Sequence, residues 1–145
     1  MSDTFSHTTS EAWVTRSLQL AHSEPAQHVF THLFADQALA QARAADAARQ
    51  AGGPLGALHG MPITLKDNYD LAGHTTMAGT VVCEGEPPAA RDAVAVTRLR
   101  QAGAVIVGKT NMSEFAFSGV GINPHYGTPR NPCDAVVARV PGGSS

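Results

Sequence analysis

At 145 residues, 43% apolar and 15% charged, the chain has the makeup of a globular domain rather than a disordered segment. Ten basic residues against twelve acidic ones leave a net charge of −2 with no basic run, so no nucleic-acid or membrane-surface footprint is present. No basic-then-apolar leader opens the sequence and no apolar run approaches membrane-spanning length, which points to a soluble cytoplasmic protein.

Thr8 with Glu11 three places on reads as a capping box, opening a helix through about Ala21 whose apolar face is Trp13, Val14, Leu18 and Ala21. A second, alanine-rich helix is expected from about Asp36 to Ala51, stopped by Gly52-Gly53-Pro54, its small side chains allowing close packing. Both helices read as scaffold. The stretch Gly60–Asn68 follows: a turn glycine and a proline lead into Ile63, Thr64 and Leu65, which favour a buried strand, and Lys66 stands at its end before the turn formers Asp67 and Asn68. By itself this stretch fits a solvated surface lysine. It equally delivers an amine to the strand end where α/β sheets build their sites.

The segment Tyr69–Thr80 is polar and glycine-punctuated, the kind of loop that lines sites, with His74 read as loop filler for want of a partner. Asp92 begins a helix with Val94, Val96, Leu99 and Ala102 as apolar positions, closed by Gly103, and Ala104–Val107 suits a buried strand. Strand, loop, helix, strand makes an α/β fold. Cys83 and Cys133 are fifty positions apart, match no zinc or redox spacing, and read as small buried hydrophobes. From Gly119 the chain is loop-like to its Gly-Gly-Ser-Ser end, which has the composition of an interior loop. An N-terminal piece of a larger enzyme is therefore expected.

Gly103–Thr110 satisfies the written P-loop pattern, G-x-x-x-x-G-K-[ST]. The mechanism needs a loop between the glycines whose N–H groups wrap a phosphate. Here the intervening residues are apolar and mostly β-branched, so their N–H groups belong to a sheet ladder and Lys109 ends a strand. Nucleotide binding is rejected.

Four motifs in register carry a resemblance: Gly60-Met-Pro-Ile-Thr-Leu-Lys-Asp-Asn68, Gly108-Lys-Thr-Asn-Met-Ser-Glu-Phe-Ala116, Tyr126-Gly-Thr-Pro-Arg-Asn-Pro132 and Pro141-Gly-Gly-Ser-Ser145. From about Gly53 onward the chain resembles the amidase signature family. The resemblance implies an α/β fold with a mixed central sheet covered by helices, of which this is the N-terminal part. Residues 1–35 would form a helical segment, and residues 36–145 the beginning of the catalytic domain. It also implies a serine nucleophile whose proton passes through a second serine, held in a cis peptide, to a lysine base. Lys66 matches the lysine, Ser144 the bridging serine, and Ser145 a supporting hydroxyl. Gly142 and Gly143 would let the backbone approach closely and take unusual angles. The nucleophile and the oxyanion-hole N–H groups belong to a stretch further downstream than Ser145.

A lysine accepts a proton only when neutral, and burial disfavours its ammonium form. A serine hydroxyl both donates and accepts, so it can relay a proton. Asp67 and Asn68 would orient Lys66 or, better, cap the turn. Ala116, Phe117 and Ser118 correspond to a stretch bordering the acyl pocket in relatives, with Phe117 equally readable as core. The implied activity is hydrolysis of a linear carboxamide, a small-molecule substrate, to carboxylate and ammonia, with no metal or organic cofactor. The alternative is the glutaminase subunit of an aminoacyl-tRNA amidotransferase. A reading of another class is an inactive fragment or interaction piece. The implied assembly is a homo-oligomer, or partner subunits in the amidotransferase case.

Overall fold

The computed structural model describes residues 8–134 and 136–143. In chain order its elements are helix α1 (Ser10–Ala21), strand β1 (Phe30–Leu33), helix α2 (Ala35–Gln50), strand β2 (Pro62–Lys66), helix α3 (Val94–Gln101) and strand β3 (Val105–Thr110). Short 3-10 turns lie at Glu24–Ala26 and Glu114–Ala116. The sheet order is β1-β3-β2, with β2 parallel and β1 antiparallel to β3. This is the mixed α/β sheet expected from the sequence.

β3 lies at the centre because its apolar run can be buried on both faces. Val105 and Val107 pack with Val14 and Leu18 of α1 and with Ala38 and Ala42 of α2. Ile106 turns the other way, into Phe34, Leu65, Leu71 and Val96 of α3. The sheet is thus covered by α1 and α2 on one side and by α3 on the other. Ala38 and Ala42 are fully buried and one turn apart on the same helical stripe. A larger side chain at either would push α2 off the sheet. Among the described residues no helix is long and apolar enough to cross a membrane.

Several local expectations are corrected. The N-cap of α1 is Thr9, whose Oγ1 accepts from Ala12 N–H at 3.1 Å, and Glu11 instead pairs with Arg43 Nε at 2.7 Å. The first-turn N–H groups of Ser10 and Glu11 are taken by the two carboxylate oxygens of Asp46, at 2.7 and 2.9 Å. A carboxylate from α2 therefore does the work assigned to the capping box, and it sits at the positive end of the α1 dipole. β1 has no counterpart among the sequence expectations, which place only helix in this region. Its four residues, Phe-Thr-His-Leu, alternate too briefly to signal a strand without the partner β3. α3 begins two residues later than expected: the Asp92 carboxylate accepts from Ala72 N–H at 2.8 Å and lies 2.9 Å from Arg100 Nε. Val94, read as a core position, is exposed, while Val96 is buried. Cys133 is exposed and Cys83 partly so, and both are free thiols rather than core residues.

Burial raises the pKa of Asp46, but the N–H groups of Glu11 and Ser10, the Ser10 hydroxyl and the Arg49 charge outweigh it, and the net direction is down. Asp46→Ala is expected to lower stability by about 1 kcal/mol at neutral pH, the usual worth of a helix cap. Because the folded-state pKa is depressed, this contribution is present above the unfolded-state value and is lost as pH falls through the folded one. Urea titrations of both proteins should therefore converge in acid. A constant gap at all pH values would contradict the capping role.

Candidate functional site

β2 and β3 run parallel, so their C-terminal ends open on the same edge of the sheet, the edge where α/β folds place ligands. Lys66 is the last residue of β2 and pairs with Thr110, the last of β3. It is half-buried between Leu65 at 3% exposure and Asp67 at 1%, so the strand end that carries it is fixed on both sides. Tyr69 N–H donates to Lys66 C=O at 3.1 Å and closes the turn that follows.

A ladder of backbone hydrogen bonds leads away from this point. Ala78 N–H donates to Asp67 C=O at 3.1 Å, and Phe115 N–H donates to Ala78 C=O at 2.9 Å. Val120 N–H reaches Ser118 Oγ at 3.3 Å, and Gly143 N–H donates to Gly119 C=O at 3.1 Å, closing a bridge between Val120 and Gly143. The loop at 77–80, the segment 113–121 and the end of the described chain thus form one layer over the strand ends. Ala78, Phe115 and Ala116 all have positive φ, at 52°, 50° and 57°. Each costs about 1–2 kcal/mol in a residue bearing a Cβ, and such strain clusters at functional sites.

Of the residues singled out in the sequence, Ser118, Gly142 and Gly143 meet in this layer, with φ of 84° and 70° at the two glycines, angles that suit residues without a Cβ. Ala116 lies on the same segment and is exposed. Phe117 is 95% exposed, so the core reading of its ring is wrong and it stands at the open face of the layer. Ser144 and Ser145, with the cis peptide expected there, lie outside the described residues.

Two asparagines missed in the sequence hold the layer together. Asn123 Nδ2 donates to Gly79 C=O at 2.7 Å and Met112 C=O at 2.6 Å, while its Oδ1 accepts from His125 N–H and Tyr126 N–H at 2.8 and 2.9 Å. All its donors and acceptors are used, at 2% exposure. Asn111 Nδ2 donates to His28 C=O and Gly127 C=O at 2.9 and 2.8 Å. The only signal in the sequence is Asn123-Pro124, which reads as loop punctuation. A further tether joins Thr80 Oγ1 to Glu114 Oε1 at 2.6 Å, with His125 Nε2 at 3.0 Å from the same oxygen. The Thr80 hydroxyl foremost, then His125, holds the Glu114 carboxyl below its ordinary range.

Asp67 does not cap the turn as expected. Its carboxylate is buried 3.0 Å from Lys109 Nζ, itself 2% exposed. Lys109 and Gly108 both lie within β3 and pair across the sheet, which bears out the rejection of a phosphate loop. Asp67 and Lys109 line a cavity of about 220 Å³ with Thr31, His32, His74, Thr75, Met77 and Tyr126. His74 is more than loop filler: its ring packs edge-on against Phe34 at 4.7 Å and lies 5.7 Å from His32. Burial first, then His32, Lys109 and Arg100, lowers its pKa, which favours the neutral imidazole. Burial, with Asp67 and Glu84 nearby, raises that of Tyr126. No group of three His, Cys, Asp or Glu side chains among the described residues is placed to hold a metal ion. A larger open groove of about 640 Å³ is lined wholly by residues between Ala21 and Leu33, and it shares only Thr31 and His32 with the cavity beside Lys109.

A family model described as "Amidase" matches residues 13–145. The chain is 46% identical over 127 residues to a glutamyl-tRNA(Gln) amidotransferase subunit from Acidothermus cellulolyticus, covering 88% of this chain and 25% of that protein. It is 44% identical over 118 residues to AtzE, a 1-carboxybiuret hydrolase subunit from a Pseudomonas species, covering 81% and 25%. The solved structure of peptide amidase from Stenotrophomonas maltophilia superposes with a TM-score of 0.74 at 38% identity, over 86% of this chain and 27% of that one. The chain spans about a quarter of the length of the curated relatives it matches.

Removing the Asn123 amide leaves two buried carbonyls, Gly79 and Met112, without a donor. Asn123→Ala should cost about 2–3 kcal/mol in chemical denaturation, and Asn123→Asp at least as much, since it turns an acceptor toward acceptors. A loss below about 0.5 kcal/mol in both would show that the layer does not depend on this residue.

Proposed function

Because this chain belongs to the amidase signature family, we propose that it carries the lysine half of an amidase active site. The supporting observation is the position of Lys66. It stands half-buried at the C-terminal end of β2, joined through Asp67, Ala78 and Phe115 to the strained segment against which Gly142 and Gly143 dock. In this reading a serine from a downstream stretch attacks the carbonyl of a linear carboxamide. Its proton passes through the Ser144 hydroxyl to the neutral Lys66 amine. The protonated lysine then returns the proton by the same route to the departing nitrogen, which leaves as ammonia from an acyl-enzyme. Water, deprotonated through the same pair, releases the carboxylate. Ser145 supports the bridging hydroxyl, and Gly142 and Gly143 bring the backbone close enough for it. Ala116, Phe117 and Ser118 border the acyl group, and the exposed Phe117 ring offers an apolar face to it.

A second reading is favoured by the 46% identity to an amidotransferase subunit. There the amide is that of glutamine, and the ammonia is passed on, with partner subunits, to a charged tRNA instead of to solvent. The same lysine chemistry serves both readings.

Ammonia release separates them. The chain joined to a continuation bearing the nucleophile, supplied with aliphatic and aryl amides, should lose activity by about 10²–10⁴-fold on Lys66→Ala, the usual worth of a general base. Ser144→Ala should do the same. Release from glutamine alone, and only in the presence of a partner protein, would select the amidotransferase. Activity insensitive to Lys66→Ala would overturn the assignment in either form.

A further inference from the structure

Where β2 ends, Asp67 is held from three directions. Its N–H donates to Thr110 C=O at 3.1 Å, its C=O accepts from Ala78 N–H at 3.1 Å, and its carboxylate lies 3.0 Å from Lys109 Nζ. An ion pair this deep adds little net stability, because removing both charges from water offsets their attraction. Here the compensation is incomplete. Asp67 Oδ2 and Lys109 Nζ have no well-formed hydrogen bond to protein groups, and both residues line the 220 Å³ cavity shared with His32, His74 and Tyr126. An apolar pair of the same size would serve the core at least as well.

What the pair supplies is direction. Ile63 pairs with Ile106 and Leu65 with Lys109, so three steps along β3 match two along β2 through the irregularity after Ile63. The extra residue turns Lys109 onto the face of Ile106 and Leu65, where it meets Asp67. Alternation along β2 then sends Lys66 to the opposite face. A charge-specific clamp on the residue next to Lys66 thus sets the register at which its amine leaves the sheet. We propose that Asp67, through its buried contact with Lys109, is a positioning residue for Lys66. This rests on the reading of Lys66 as the base.

The chain has only two lysines, Lys66 and Lys109, which permits a test that does not need turnover. The full chain is labelled with acetic anhydride at fixed pH and each lysine is followed by peptide mass. In Lys109→Arg, Lys66 is the sole lysine and Asp67 keeps a cation, so Lys66 should label at the wild-type rate. In Asp67→Leu/Lys109→Met, Lys66 is again the sole lysine but the pair is gone. Its rate should then change by roughly threefold or more, above the coupling expected of independent sites, while the thermal midpoint is unchanged or raised. Equal Lys66 rates in the wild type and a folded double variant would overturn the proposal. So would a double variant that fails to fold, since the pair would then be serving stability. Should the Arg variant itself not fold, the wild-type rate is the reference. Ammonia release by Lys66→Ala tests the base assignment separately, so the two can fail independently.

Discussion

The parallel pairing of β2 with β3 decides where every candidate functional group stands. β3 is apolar on both faces and can be satisfied only between helical layers, with α1 and α2 on one side and α3 on the other. Once it is buried, its parallel neighbour must end on the same edge, and that places Lys66 beside Thr110. The loops that follow the two strands, 67–80 and 111–121, then have one surface to share. Parallel geometry thus converts an ordinary core into a site with a defined floor.

The layer above that floor holds several buried polar groups, so its order depends on their pairing. Asn123 and Asn111 meet this demand with fully used amides, and Thr80, Glu114 and His125 share a second small network. Asp67 and Lys109 do not meet it fully, since two of their buried atoms lack good hydrogen bonds. Strain enters at Ala78, Phe115 and Ala116, which are linked to one another and to Asp67 through the backbone. Asp67, with its unsatisfied Oδ2, is the residue next to Lys66, and Phe115 and Ala116 lie on the segment that docks Gly143.

How much of this could be read from the residues depends on the range of the interaction. Val105–Val107 is apolar and β-branched, a local signal, so the central strand and the false phosphate loop were both legible. The Val14/Leu18 stripe was legible from its helical spacing, and the close-packing face of α2 only as an alanine-rich helix, without Ala38 and Ala42 being singled out. β1 was not, because four alternating residues at an edge mean nothing until β3 is beside them. The cap of α1 was misassigned because its acceptor, Asp46, comes from another helix. Asp67 looked like a turn former because its burial depends on a lysine from the next strand. Phe117, an aromatic in a sequence with few of them, could be placed in neither core nor surface until its loop was seen to turn outward. Ala78 gave no signal at all, since nothing in an alanine announces a positive φ.

Lys66 as one half of a serine-relayed proton path requires a particular neighbour, and its position at the strand end is meaningful only if Ser144 is brought to it. The most direct measurement is the separation of Lys66 Nζ and Ser144 Oγ in a crystal structure of the chain together with a continuation bearing the nucleophile. A distance of about 2.6–3.2 Å, with the Ser144 hydroxyl between the lysine and the nucleophilic serine, is the expected result. A Lys66 amine turned to solvent, with Ser144 beyond hydrogen-bond reach even when an acyl group occupies the site, would contradict it.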